Sequence, residues 1–222
     1  MERATDQRRV FVTGGTGYLG VPLIEALLER GHEVRALARR GSEGRLPTGC
    51  DVVPGNALDG ATFADQVALA DTLVHLVGVS HSAPWKERQF REVDLASVRA
   101  SVQAARTAGV RHMVYLSVAQ PAPLMKTYVA VRAECERQIS EAGLSATCVR
   151  PWYVLGPGHV WPYALIPVYA LFERLPGTSE TARRLGLVRR AEMIDALAWA
   201  VENPAEGIRV MDVERIRSFR AT

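Results

Sequence analysis

Short apolar runs alternate with longer stretches of helical periodicity along most of the chain. Residues 8–14, RRVFVTG, form a buried-strand run. In 21–31, VPLIEALLERG, the apolar residues recur at helical spacing and Gly31 supplies a stop. The alternation then repeats. Strands are predicted at 32–39, 50–59, 71–79, 111–119 and 145–156, and helices at 61–70, 90–109, 128–143 and 191–204, the last halted by Pro204. Strand, helix, strand in this order predicts an α/β chain. Its architecture is a doubly wound parallel sheet with helices on both faces and right-handed crossovers. Past Gly156 the pattern turns irregular and aromatic, which predicts one domain over 1–222 with 151–222 contributing a small C-terminal lobe on the substrate side.

Glycine placement at the first strand–helix junction turns this architecture into a binding hypothesis. In VFVTGGTGYLG, Gly14, Gly17 and Gly20 stand three apart where the strand hands over to the helix. Gly14 allows a tight turn, Gly17 a close backbone approach to a pyrophosphate, and Gly20 close packing of the helix on the strand. The helix N–H groups and dipole then face the phosphates. The fold is thereby predicted as Rossmann-type. At the end of the second strand a ribose 2′-hydroxyl calls for an acid, and a 2′-phosphate for arginine. VRALARRGSEGR carries Arg35, Arg39 and Arg40 and no acid before Glu43, so Arg39 and Arg40 favour NADP(H) over NAD(H).

Composition narrows the field further. The 222 residues are 48% hydrophobic and 23% charged, and 27 Lys+Arg against 24 Asp+Glu leave +3. That balance points to neither nucleic acid nor an anionic membrane, and a small-molecule partner is the expectation. Cys50, Cys135 and Cys148 stand far apart with no C-x-x-C, as reduced thiols do. No His/Asp/Glu set has metal-ligand spacing, so no metal is expected. MERATDQRR lacks the apolar core of a signal peptide, and WPYALIPVYALF is too short to cross a bilayer. A soluble, cytoplasmic protein is the expectation. The 90–109 helix is long enough to pair across a homodimer.

The motifs, taken together, resemble the short-chain dehydrogenase/reductase superfamily. Thr13 to Gly20 is similar to its T-G-x-x-G-x-x-G signature, GNALD to its G-D-L-x-D stretch, and VYLSVA to the strand that carries the active-site serine. YVAVR falls at the place of Tyr-x-x-x-Lys. GLSATCVRPWYVLGPG and RRAEMIDALAWAVENP resemble segments of the extended, atypical, epimerase-like NAD(P)H-binding branch. The resemblance implies that Gly14, Thr16, Gly17, Tyr18 and Leu19 line the pyrophosphate and Arg39 the 2′-phosphate. It places Asn56 at the adenine, where the family has Asp, Val77 and Gly78 beside the ribose, and Pro151 near the nicotinamide amide. Arg150 is read as an anchor for that turn.

It also implies Ser117 and Tyr128 as the catalytic pair that holds and protonates a substrate oxygen. A free phenol titrates near 10, and a neighbouring cation lowers it by about 1–3 units. The family's lysine supplies that cation; here the position is Arg132, four residues from Tyr128 on one helix face. Arginine keeps the charge but cannot relay a proton. Two readings therefore stand for Arg132, support of Tyr128 or an ion pair with Glu136 one turn on. Tyr128 and Ser117 likewise read either as catalysts or as a packed ring and a strand-ending hydroxyl.

Trp152, Tyr153, Trp161, Tyr163, Tyr169 and Phe172 line a lid for an apolar or planar substrate or pack against the sheet or a second subunit. His81, Trp85 and His159 enter the pocket or remain loop residues. The arginines of ETARRLGLVRR contact an anionic substrate group or solvent. The leading expectation is an NADP(H)-dependent oxidoreductase acting on a small carbonyl, enone or quinone. Its rivals are a non-catalytic NADP(H) sensor and a nucleotide-sugar epimerase or dehydratase, the latter disfavoured by the short tail after Pro151.

Overall fold

The computed structural model describes residues 7–79, 83–157 and 184–219. Seven strands form one parallel sheet: β1 Arg9–Thr13, β2 Glu33–Ala38, β3 Asp51–Pro54, β4 Thr72–His75, β5 His112–Leu116, β6 Ser145–Val149 and β9 Ile208–Met211. Their order across the sheet is β3-β2-β1-β4-β5-β6-β9. Two further strands, β7 Tyr153–Leu155 and β8 Leu187–Arg189, pair in parallel as a separate ribbon. The Rossmann-type doubly wound sheet expected from the alternation is present, and its strand order reverses between β1 and β4.

Side chains alternate across the sheet and so divide the core in two. Val10 and Val12 of β1, Val74 of β4 and Val149 of β6 pack with α1 (Gly20–Glu29) and the late helix Arg190–Glu202 on one face. Phe11, Leu73, Met113, Tyr115 and Cys148 pack on the other face with α2 (Ala64–Val67), α4 (Ala96–Ala108) and α5 (Lys126–Glu141). A three-residue turn, α3 (Glu87–Gln89), and a π-helical segment, Phe90–Leu95, lead into α4. Among the described residues the remaining α-helices are α6 (Arg190–Glu202) and α7 (Val213–Arg217).

Two predicted elements differ substantially and one strand of the seven-stranded sheet is additional. The 61–70 helix shrinks because Asp59 caps the 3₁₀ turn Gly60–Thr62 by accepting from Ala61 N–H, and Thr62 Oγ1 bonds back to the Asn56 and Asp59 carbonyls. The predicted strand 145–156 breaks after Val149, near Pro151, which has no N–H to donate, and resumes as β7 in the separate ribbon. The edge strand β9 was not foreseen. It is four residues long with Ile208 42% and Val210 44% exposed, so its pattern resembles a loop.

Candidate functional site

The site begins where β1 and β4 part. Thr13 Oγ1 lies 2.9 Å from His75 Nδ1, tying the two strand ends together beneath the cleft. Gly14 then turns with φ +78°, and a Cβ there would come within 2.9 Å of the Leu76 carbonyl carbon and 3.0 Å of Val77 N. A Cβ on Gly20 would collide with the carbonyl oxygens of Gly14 and Gly15, so the start of α1 sits hard against the turn. Helix α1 has neither a side-chain cap at Leu19 nor an acidic residue in its first turn. Its amino end is left with unanswered positive potential next to the loop.

A cavity of about 490 Å³ runs along the carboxyl ends of these strands. Gly14, Thr16, Gly17 and Tyr18 line it at α1, and Asn56 at the exit of β3. Val77 and Gly78 line it at the exit of β4, and Arg39 at the exit of β2. Arg45 lines it too, brought round by the 3₁₀ turn Glu43–Arg45. Among the described residues no carboxylate side chain lines it. Asn56 Oδ1 accepts from Leu58 N–H at 3.1 Å, which leaves its second lone pair for a ligand amine. A second cavity, about 410 Å³, lies among the paired charges Arg9–Asp71 and Arg35–Asp51 at the opposite strand ends. In a doubly wound sheet the binding crevice lies at the carboxyl ends.

Three expected cofactor residues lie off this cavity. Leu19 is the N-cap of α1 with its side chain in the core. Arg40 is exposed beside Arg39. Pro151 is buried after β6, its carbonyl accepting from Ala119 N–H. Arg45 was missed although it belongs to the same basic loop as Arg39. Its return to the cleft depends on a turn that the residue pattern does not announce.

The expected catalytic residues are engaged in ways the spacing did not show. Ser117, at the end of β5, donates to Glu136 Oε1 at 2.5 Å. Glu136 also accepts from Gln120 and, through both oxygens, from Arg150. Arg150 thus anchors the β6 exit. The i,i+4 pair between Arg132 and Glu136 does not form, because Glu136 is taken by Arg150 while Arg132 turns inward. There Arg132 Nη2 lies 2.7 Å from Asp94 Oδ1, and Nη1 donates to the Leu116 carbonyl at 2.8 Å and the Tyr115 hydroxyl at 3.2 Å.

Tyr128 is half-buried, its ring centroid 4.9 Å from that of Phe90, with the Arg132 guanidinium 5.2 Å from its ring. Burial opposes the charge of Arg132, but the Tyr115 and Tyr128 hydroxyls and Asp94 hold it protonated well above the ordinary value. Burial lifts the Asp94 carboxyl above the ordinary carboxylate value, with Arg132 and the Val79 N–H drawing it back.

Of the expected substrate-side aromatics, Trp152 packs against the core and meets Tyr153 edge-on, while Trp85 is 84% exposed. His81, His159, Trp161, Tyr163, Tyr169 and Phe172 lie outside the described residues. In the late arginine run, Arg184 donates to the Pro121 carbonyl. Among the described residues no three His, Cys, Asp or Glu side chains gather as metal ligands, and no helix is long and apolar enough to cross a membrane.

The glycine turn, the uncapped α1 and the cavity at the sheet's switch point define a dinucleotide-binding protein of the Rossmann type. A family model described as NAD(P)H-binding matches residues 14–159. Ceramide reductase of Caulobacter vibrioides is 30% identical over 96% of this chain and 67% of its own length. A 3-beta-hydroxysteroid dehydrogenase of Mycolicibacterium neoaurum is 36% identical over 50% of this chain, which spans 32% of that enzyme. The Bordetella bronchiseptica enzyme WbmH in complex with NAD+ superposes with a TM-score of 0.69 at 24% identity, covering 93% of this chain and 76% of that one. The chain belongs to the NAD(P)H-binding family, in the extended, atypical branch of the short-chain dehydrogenase/reductase superfamily.

Proposed function

We propose that the protein is an NADP(H)-dependent reductase of a small, apolar carbonyl, enone or quinone. The observation that carries the cofactor preference is the cavity wall, where Arg39 at the exit of β2 and Arg45 from the following 3₁₀ turn stand with no carboxylate among the described lining residues. Two guanidiniums suit a 2′-phosphate, whereas a free 2′-hydroxyl calls for an acid. The turn fits the rest of a dinucleotide, because a Cβ at Gly14 would press on the β4 exit that borders the cleft and α1 offers an uncapped amino end. The names of two relatives, a ceramide reductase and a ketoreductase of Stigmatella aurantiaca, support carbonyl reduction of apolar compounds.

When bound, the nicotinamide supplies hydride. The chain's own part is to hold the dinucleotide at the glycine turn and to move a proton. Tyr128, on the α5 face that carries Arg132 behind Gly78, is the group that gives its hydroxyl proton to the substrate oxygen. Ser117, bonded to Glu136, braces the end of β5.

Calorimetric titration of wild type, Arg39→Ala and Arg45→Ala with NADPH and NADH tests the cofactor reading. A charge-assisted hydrogen bond is worth about 1.5–3 kcal/mol, so each variant should bind NADPH roughly 10- to 100-fold more weakly. NADH affinity should hold, and equal losses for both coenzymes would refute the preference.

A non-catalytic NADP(H) sensor is the second reading. It is favoured by the inward engagement of both Ser117 and Arg132. Binding of NADPH with no oxidation of it across a carbonyl, enone and quinone panel would select the sensor.

A further inference from the structure

Asp94 is fully buried and serves two partners with its two oxygens. Oδ1 meets Arg132 Nη2, and Oδ2 accepts the Val79 N–H at 3.0 Å. Between these contacts lies Gly78, whose absent side chain leaves the room Arg132 Nη2 occupies, since a Cβ there would strike it. The cavity wall at the β4 exit is therefore backed by a guanidinium and fastened by a carboxylate. The carboxylate comes from the π-helical segment Phe90–Leu95, and four residues before it the same segment sets Phe90 against the Tyr128 ring. Such segments are often retained where they aim side chains at a site. One connected set of contacts thus runs from Gly78 through Arg132 and Asp94 to Phe90 and Tyr128.

We infer that Asp94 and Arg132 act as one positioning unit, setting the Gly78–Val79 wall against the dinucleotide and holding the Tyr128 ring in place between Arg132 and Phe90. The charge of Arg132 is answered by Asp94, so Arg132 is turned to that carboxylate and not left free as the cation that the resemblance assigns to a lysine. This rests on the cavity being the NADP(H) site.

The test is calorimetry with NADPH on wild type, Asp94→Asn, Arg132→Lys, Gly78→Ala and the doubly neutral Asp94→Asn/Arg132→Gln protein, each with its thermal midpoint and the amide exchange of Val79. Asp94→Asn, Arg132→Lys and Gly78→Ala should each weaken NADPH about tenfold or more, and the double variant no more than its parents, as coupled neighbours do. Weakened NADPH binding in Arg132→Lys, which keeps both charges and adds nothing to the cavity wall, measured well below that variant's midpoint, separates positioning from stability. Three outcomes overturn the inference: additive losses in the double variant, falls in midpoint with NADPH affinity unchanged, or an Arg132→Lys protein that binds NADPH as tightly as wild type. If wild type itself registers no heat, the cofactor reading fails. The positioning unit is then judged by Val79, whose exchange must quicken in Asp94→Asn, and unchanged exchange would overturn it.

Discussion

At the scale of single residues, the distinction that matters is between side chains already satisfied by the protein and those left facing the cleft. The Ser117 hydroxyl has a buried carboxylate as its acceptor, and that carboxylate keeps Arg150 and Gln120 when Ser117 is removed. Ser117→Ala should therefore cost about 1 kcal/mol of stability, the net worth of one hydrogen bond, and leave kcat within a few-fold. Tyr128→Phe removes only an oxygen from a ring held by Phe90 and Arg132, so the fold and NADPH affinity should survive. Its kcat should drop about 10²- to 10⁴-fold, the usual contribution of a positioned acid. Steady-state kinetics and urea unfolding on the two variants decide this, and a large kcat loss in Ser117→Ala with full stability would restore serine to the reacting centre.

At the scale of elements, the β1–turn–α1 unit carries its purpose in its own residues, because each glycine answers a local steric demand. Gly20→Ala would place a methyl group on the Gly14 and Gly15 carbonyls, a backbone clash that should destabilise by about 1–3 kcal/mol or more. At Gly17 a methyl group would meet only the Gly14 carbonyl, at 3.1 Å, and otherwise project toward the cavity. Gly17→Ala should hold its thermal midpoint nearly unchanged yet bind NADPH more weakly, and the opposite ranking of the two variants would discredit this account of the turn. The same locality explains what could be read from the sequence. Val10, Phe11 and Val12 announce a strand buried on both faces, and Gly109 with φ +66° announces the end of α4. The Asp94–Arg132 pair was illegible because its partners come from α5 and a distant π-helical segment, and spacing along one helix offered Glu136 instead. The helix predicted for 61–70 was shortened to α2 for a related reason: alanine-rich composition suits a helix, but the side chains of Asp59 and Thr62 hold its first residues in a tighter turn.

For the molecule as a whole, two apolar layers enclose a sheet whose strands carry buried imidazoles. Burial, helped by Arg132, lowers His75 to about 3; its neighbours are the hydroxyls of Thr13, Ser97 and Ser101 and the Tyr115 ring. Burial, with Arg209 and Arg8, lowers His112 to about 4, and its Nε2 meets Thr147 Oγ1. Both rings are neutral in the folded state at pH 5, whereas in the unfolded chain each takes up a proton near pH 6.5. The unfolded state therefore binds more protons through this window. The stability held above pH 6.5 is lost as the pH falls toward 4, at up to about 1.4 kcal/mol per pH unit for each ring. Urea unfolding at intervals from pH 7.5 to 4.5 should show this decline. His75→Asn/His112→Gln retains an amide oxygen in place of His75 Nδ1 and an amide nitrogen in place of His112 Nε2, and it should flatten the decline by roughly twice that slope while lowering stability at pH 7.5. A variant whose pH dependence parallels wild type would mean that neither ring excludes the proton, and the acid sensitivity would then belong to the carboxylates.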